Sequence, residues 1–315
     1  MSKLAFLFPG QGSQKVGMGA DILAEDADLF DRLLDRADQV SGLPVRQMCL
    51  EGPAERLTET QVAQPALFSV SLAMVELATR AGLAPDYLAG HSLGEYTAAV
   101  PSGALSAEEG LDVVCLRGRL MAEEQSRRPG AMAAIMGLSV EAVAEVCERA
   151  AQGQVVAPAN INTSSQVVIS GEEEAVVRAM AGAQKAGASR VLRLPVGAAF
   201  HTDLMKPVQT ALAKRLDDVT WGAPSVPVMT NATASVVTTG EGTRDALVAQ
   251  IVSPVRWADC VRGLLTAGVT TFLELGPGRV LSGLVRQIDR GAEVAAADSL
   301  AKVEKFAADH PQFVR

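Results

Sequence analysis

Gly90-His91-Ser92-Leu93-Gly94 is a G-x-S-x-G pentapeptide with an apolar stretch before it and a helix-compatible stretch after it. At a sharp strand-to-helix turn the flanking glycines let the backbone bend, and the serine hydroxyl stands exposed as a nucleophile. One oxyanion donor comes with that position. The N–H of Leu93 lies at the start of the following helix, where donors are unpaired and the helix dipole is positive. The hydroxyl also needs a base. Of the three histidines, His91 adjoins the serine and would have to fold back on the elbow, and His310 lies in a polar C-terminal tail. By elimination His201, after Val196-Gly197-Ala198-Ala199-Phe200, is the histidine best placed to serve Ser92.

Two other places have residue types suited to chemistry. The loop Gly10-Gln11-Gly12-Ser13-Gln14 lacks the Lys-Ser/Thr ending of a P-loop and the third glycine of a dinucleotide fingerprint. It is either a simple turn or the source of a second oxyanion donor, the Gln11 N–H, beside Ser92. Arg117 and Gly118 fall in the middle of a predicted helix. A glycine there costs about 1 kcal/mol relative to alanine, so something is expected to approach that backbone closely. Arg117 is either a solvated helix arginine or one turned inward to pair a carboxylate bidentately, for which its planar fork is suited.

The elements that must position these groups follow from hydrophobic patterning. Leu4 to Phe8 is an unbroken apolar run ending at Pro9-Gly10, as in a parallel strand buried on both faces. Gly19 to Thr60 is helical in pattern, and a second amphipathic helix opens at Gln64-Pro65-Ala66 and runs to Arg80. Leu83 to Ala89 reads as the strand before the elbow and Leu93 to Val100 as a short helix after it. Ser106-Ala107-Glu108-Glu109 is a capping box that starts the Arg117 helix. From Ala131 the order becomes strand (132–136), helix (139–151), strand (155–161), strand (166–170), helix (172–186) and strand (191–195), the split βαβ pattern of a ferredoxin-like unit. Strands at 226–230 and 271–275 and a helix at 246–252 complete the reading.

With 315 residues, 48% of them apolar, the chain can bury a large core. A net charge of −8 argues against a nucleic-acid surface. Cys49, Cys115, Cys147 and Cys260 are isolated and read as reduced thiols. No segment resembles a signal peptide and no stretch is expected to reach the length of a membrane span, so the expected location is cytoplasmic.

In order along the chain, Phe8-Pro9-Gly10-Gln11-Gly12-Ser13-Gln14, Gln64-Pro65-Ala66, Gly90-His91-Ser92-Leu93-Gly94-Glu95-Tyr96, Arg117-Gly118, Asn160-Ile161-Asn162, Phe200-His201-Thr202, Asn231 with Thr233, Pro254-Val255-Arg256-Trp257 and Glu274-Leu275-Gly276-Pro277-Gly278 resemble the malonyl-CoA:acyl-carrier-protein transacylase family. That family also includes the acyltransferase domains of polyketide synthases. The resemblance spans nearly the whole chain. It implies an α/β fold with an α/β-hydrolase-like large domain, residues 1–127 and 197–315, and an inserted ferredoxin-like small domain, residues 128–196. It further implies Ser92 as nucleophile, His201 as base and acid, and the Leu93 and Gln11 N–H groups as the oxyanion hole. Arg117 would clamp the malonyl carboxylate, and Asn160 and Asn162 would line the pantetheine path. No carboxylate third member is evident, and the family orients its histidine with a main-chain carbonyl, here expected at Gln250. A bulky Phe at position 200 goes with malonyl units in the family, and a Ser there with methylmalonyl units.

The implied substrate is malonyl-CoA and the implied partner an acyl carrier protein, in fatty-acid synthesis, on a polyketide assembly line or in a malonate decarboxylase. No bound cofactor, metal, nucleic acid, membrane or obligate oligomer is implied; a monomer is expected. A serine thioesterase would share the elbow and histidine but would not need Arg117, and a non-catalytic docking subunit would be marked by loss of Ser92 or His201. Carrier proteins are typically acidic, so a net-acidic enzyme should present a basic patch, for which Arg190, Arg193, Lys206, Arg279 and Arg286 are candidates. Departures from the family pattern are few: Gly197 and Ala198 stand where Ser and Gly are commoner, Pro101 is expected to end the elbow helix early, and the segment from Ala295 to Arg315 is the least family-like.

Overall fold

The computed structural model describes residues 2–315. Among them the strands are β1 (Lys3–Phe8), β2 (Tyr87–Gly90), β3 (Gly130–Met136), β4 (Val156–Thr163), β5 (Gln166–Glu172), β6 (Arg190–Arg193), β7 (Val228–Met229), β8 (Val236–Val237), β9 (Val269–Leu275) and β10 (Glu293–Ala297). They make a six-stranded sheet in the order β10-β9-β1-β2-β7-β8 and a four-stranded sheet in the order β4-β5-β3-β6. In the larger sheet β10, β9, β1, β2 and β7 run parallel, and β8 closes one edge antiparallel. The apolar run of β1 serves both faces of this sheet. Leu4, Phe6 and Phe8 enter one hydrophobic cluster, while Ala5 and Leu7 enter another, as the alternation of side chains along a strand requires.

The register of β1 against β2 sets Phe8 opposite Gly90. Both strands therefore end at the same level, and the loop after β1 and the elbow after β2 leave the sheet side by side at its carboxyl edge. Open parallel sheets present their ligand crevices at that edge. The His91 N–H donates to the Phe8 carbonyl at 3.0 Å, extending the pairing one residue past the strand.

The bend at the elbow falls on Ser92 itself, with φ 52° and ψ −104°. The glycines around it are needed for close packing rather than for a left-handed backbone. A Cβ at Gly90 would lie 1.9 Å from the Gly94 carbonyl carbon, and one at Gly94 would lie 2.0 Å from the Phe8 carbonyl oxygen. The elbow helix, Leu93–Ala99, sits directly on the end of β1 and stops before Pro101.

The four-stranded sheet and the helices Val140–Ala151 and Glu173–Lys185 have the order strand-helix-strand-strand-helix-strand. All its pairings are antiparallel, and β4-β5-β3-β6 is the spatial order of a ferredoxin-like unit, so the pattern read from 131 to 195 forms as expected. Its helices cover one face through Val143, Val146, Ala175 and Ala179.

Several expectations shift in detail. The helix expected to open at Gln64-Pro65 begins at Thr60 and runs to Arg80 with Pro65 inside it, at the cost of one helical hydrogen bond. By length and composition this helix is apolar enough to cross a membrane, which corrects the expectation that no stretch reaches that length; 83% of its most apolar window is buried inside the protein. The strand before the elbow starts at Tyr87, and Leu83 instead forms an isolated bridge with Val314. The strand at 226–230 is confined to Val228–Met229, and the helix expected at 246–252 is Gly240–Ala249. The least family-like segment is structured: β10 extends the large sheet, and the helix Leu300–Asp309 buries Val303 and Phe306. The four cysteines form no disulfide.

Gly94→Ala is expected to destabilise the protein by about 3 kcal/mol, because the new methyl group must displace backbone rather than a mobile side chain. Equilibrium denaturation measures this, and an unchanged midpoint would contradict the packing described.

Candidate active site

Where β1 and β2 end, a cavity of about 100 Å³ is lined by Gln11, Ser92, Arg117, Phe200 and His201, among others. Ser92 Oγ lies 2.8 Å from His201 Nε2 and 3.0 Å from an Arg117 Nη that donates to it. His201 Nδ1 is 2.9 Å from the Gln250 carbonyl oxygen and 3.1 Å from that of Ser253. Carbonyls only accept, so the ring proton sits on Nδ1 and the lone pair of Nε2 faces the serine. Among the described residues no carboxylate takes part in orienting the ring.

Burial lowers the His201 pKa to about 3, with the positive charge of Arg117 the next contribution in the same direction. The imidazole is therefore neutral across the physiological range and able to accept a proton. Such a lowered pKa contributes stability that is complete above the ordinary histidine value of 6.5 and is lost as pH falls from there towards 3.

Arg117 is 2% exposed, which rules out the solvated alternative. One Nη donates to Gln64 Oε1 at 2.6 Å, and the other donates to Gln250 Oε1 at 3.1 Å as well as to Ser92. The guanidinium lies 5.0 Å above the Tyr96 ring, and its Nε finds no partner among the described residues. Gly118 explains how the arginine gets there. A Cβ at that position would be 3.1 Å from both Gln61 Cα and the Thr60 carbonyl oxygen, so the Arg117 helix and the Thr60–Arg80 helix cross almost backbone to backbone, as the mid-helix glycine led us to expect.

The Gln11 loop enters the cavity instead of making a turn remote from it. Neither the Gln11 nor the Leu93 N–H has a hydrogen-bond acceptor among the described residues. The Gln11 side chain is held by Thr60, whose hydroxyl donates to Oε1 at 2.9 Å and accepts from Gln64 at 2.8 Å. The helical turn that precedes Pro65 thus joins the Gln11 loop to the arginine.

Phe200 and Asn160 also line the cavity, and Asn160 Oδ1 is buried with no partner among the described residues. Asn162 behaves differently from the expectation that both asparagines line a path. Its Oδ1 is 3.0 Å from His91 Nε2, and the side chain does not line the cavity. Of the basic candidates, Arg193 pairs with Glu173 and Lys206 with Asp203. Arg279 and Arg286 line a separate cavity of about 410 Å³ together with Lys15 and Lys302.

Four site residues escaped the sequence reading. In the sequence Gln64 falls at a predicted helix start, Glu95 and Asn231 enter only within motifs of the family resemblance, and Gln250 is expected only for its carbonyl. Asn231 Oδ1 accepts from the Ser92 N–H at 2.7 Å, and its Nδ2 donates to the Gly90 carbonyl at 2.7 Å. Glu95 is buried beneath the elbow, and burial raises its carboxyl pKa to about 8. The one available signal was that Ser92-Leu93-Gly94-Glu95 fits the S-x-x-E capping pattern, yet neither side chain caps the elbow helix.

Comparison with known proteins agrees with this geometry. Residues 5–315 match the family model described as the acyl transferase domain. The chain belongs to that family. It is 42% identical to a malonyl CoA-acyl carrier protein transacylase of Bacillus subtilis over 305 residues, 96% of each chain, and 44% identical to one of Escherichia coli K12 over 289 residues, 91% of this chain and 93% of the other. The fold matches the malonyl CoA-acyl carrier protein transacylase of Coxiella burnetii with a TM-score of 0.94, 36% identity and coverage of 100% and 98%. It also matches a malonyl-transacylase in complex with a type II polyketide acyl-carrier protein, with a TM-score of 0.92, 40% identity and coverage of 98% and 99%. The α/β fold of this acyl transferase is the one shared by these structures.

The three histidines should separate cleanly in an NMR titration. Burial lowers His91 as it does His201. For His310 burial also opposes the charge, but bonds to Glu293 and the Phe306 carbonyl outweigh it and raise the pKa. His310 is expected to titrate above the ordinary histidine value of 6.5, a signal that should vanish in His310→Gln, with His91 and His201 below that value. A His201 resonance that titrates at or above 6.5 would contradict its buried, neutral state.

Proposed function

We propose that this acyl transferase moves a malonyl group from coenzyme A to the phosphopantetheine thiol of an acyl carrier protein, through a malonyl ester on Ser92. The observation that carries the reading is the meeting of three groups at one oxygen: Ser92 Oγ touches both His201 Nε2 and Arg117. Nucleophile, base and a cation able to hold a carboxylate are thus within reach of a single small acyl group. The names borne by the relatives point to the same donor and acceptor.

In the first half-reaction His201 takes the hydroxyl proton as Ser92 Oγ attacks the thioester carbonyl. The tetrahedral oxyanion forms against the N–H groups of Leu93 and Gln11, each contributing about 3 kcal/mol of transition-state stabilisation. As the C–S bond breaks, His201 returns the proton to the departing thiol. The carrier's thiol then attacks the ester by the same steps in reverse, and the hydroxyl is regenerated.

The malonyl carboxylate does more than anchor the substrate. Arg117 opposes protonation of His201, so a carboxylate paired with the guanidinium reduces that opposition and makes the imidazole a better base. Malonyl binding thereby improves the catalyst that acts on it, while an uncharged acetyl group leaves the opposition in place. The small cavity suits a short acyl group and excludes a fatty acyl chain, and Phe200 in its wall crowds the space an α-methyl group would need. The unpartnered Asn160 Oδ1 is an acceptor for an N–H of the pantetheine arm. We assign no such role to Asn162, which serves His91. All these groups come from one chain, which we take to act as a monomer, with residues 128–196 as the inserted domain and Arg279 and Arg286 in the carrier-facing patch.

Intact-protein mass spectrometry after brief exposure to malonyl-CoA tests the function. A malonyl adduct is expected on the wild type and absent from Ser92→Ala, and it should pass to an added phosphopantetheinylated carrier protein. An adduct lost to water as fast as it forms would favour a thioesterase instead. Arg117→Ala should reduce malonyl transfer by about 100-fold or more and raise the acetyl-to-malonyl rate ratio; an unchanged ratio would sink the clamp. Phe200→Ser should admit methylmalonyl-CoA, and unaltered extender selectivity would remove Phe200 from that role.

A further inference from the structure

The hydrogen bonds beneath the elbow converge on one atom. Glu95 Oε2 accepts from Gln250 Nε2 at 2.7 Å and from the Asn231 N–H at 3.2 Å. Each donor in turn holds the reacting groups. The Gln250 carbonyl faces His201 Nδ1, its Oε1 accepts from Arg117, and its Nε2 also donates to the Ser92 carbonyl at 3.1 Å. Asn231 binds the Ser92 N–H and the Gly90 carbonyl. Glu95 itself is 1% exposed and touches no wall of the cavity.

We propose that Glu95 is a positioning residue that sets the amide orientation of Gln250, so that Gln250 Oε1 faces Arg117 and keeps the guanidinium beside Ser92. The inference deepens the acyl-transfer reading and rests on it. An amide has one accepting and one donating end. With Glu95 Oε2 accepting from the Nε2 end, Oε1 must point the opposite way, towards a cation that can only donate. Without that acceptor only the longer bond to the Ser92 carbonyl holds the Nε2 end; an amide that turns then presents Nε2 to the guanidinium, two donors facing each other, and Arg117 loses one of the two side-chain acceptors besides Ser92 that hold it. Proximity of charge is a weaker account. Both neutral amides stand between Glu95 and the rest of the site, and no ion pair joins the carboxylate to Arg117.

The sequence neighbourhood supports a dedicated role. Glu95 is the third residue of the elbow helix behind Ser92, the position from which a glutamate ordinarily reaches back to the N-cap N–H. Here Asn231 takes the Ser92 N–H, and the glutamate points inward instead. Its partners come from distant parts of the chain, at positions 231 and 250, so it joins the elbow to the segments that carry the imidazole's acceptor.

Two conservative variants separate reach from charge. Glu95→Gln keeps the reach and an accepting oxygen but cannot ionise; Glu95→Asp keeps the ionisable carboxyl group but withdraws it by one methylene. Rates of Ser92 acylation by malonyl-CoA and acetyl-CoA are measured for both variants and the wild type, with thermal unfolding alongside. Glu95→Asp is expected to lower the malonyl-to-acetyl ratio by about 10-fold or more, whereas Glu95→Gln stays within about 3-fold of the wild type. The reverse pattern would make charge rather than orientation the contribution and overturn the inference. So would an unchanged ratio in Glu95→Asp, with or without lower thermal stability, since a purely structural role scales both acyl groups alike. Wild-type protein that forms no adduct at Ser92 would overturn the acyl-transfer reading itself, an outcome distinct from the other two.

Discussion

The site depends on two parallel strands ending at the same level. Phe8 and Gly90 face each other across β1 and β2, and the elbow helix packs so closely on the end of β1 that only glycine fits at position 94. That one contact aligns the Gln11 loop with the Leu93 N–H, which come from segments more than eighty residues apart. It also places Ser92 at a backbone conformation that its own sequence neighbours would not choose, stabilised by packing on all sides. A shift of β1 by one residue would exchange its two hydrophobic faces and separate the two donors together.

A second constraint is the burial of a cation. Among the described residues no carboxylate pairs with Arg117; its Nη groups donate to the oxygens of Gln64, Gln250 and Ser92, and the guanidinium lies over the face of Tyr96. Burying an unpaired charge is costly, and neutral oxygens recover part of that cost while leaving the charge itself unbalanced. An unbalanced buried cation is what the proposed carboxylate clamp requires, and a pre-formed ion pair would not supply it. Burial keeps the His201 imidazole neutral and the same charge adds to that effect, so Arg117 and His201 are coupled through a few ångströms of low-dielectric interior.

The small sheet and the segment leaving it contribute one wall of the cavity. β4 carries Asn160 to the cavity, and Leu194 and Val196, on the return from β6, lie in its lining. The isolated bridge between Asn160 and Val255 connects the small sheet to the segment that follows Gln250. The polar side chains facing the reacting centre are therefore held by both sheets, and the cavity closes where they meet.

Much of this was legible in the chain itself. The elbow announces itself through residue type, because an exposed serine between close-packed backbones demands glycine on both sides. Gly118 marked the close helix crossing, the unbroken run of β1 marked a strand covered on both faces, and the 131–195 pattern marked the ferredoxin-like insert, since each rests on local periodicity or on a local steric need. His201 was reached only by elimination, and Gln11 and Arg117 were left between two readings, because a loop or a helix arginine has no local signature of what it will face. The contacts of Gln64, Glu95, Asn231 and the Gln250 side chain have no local signature at all. Their roles lie in hydrogen bonds spanning 53 to 158 positions, and an amide or carboxylate looks the same in sequence whether it meets solvent or another residue. The sequence by itself determined which backbone could bend and which faces could be buried; the tertiary structure alone decided which polar groups would be enclosed together, because enclosure depends on packing between segments far apart in the chain.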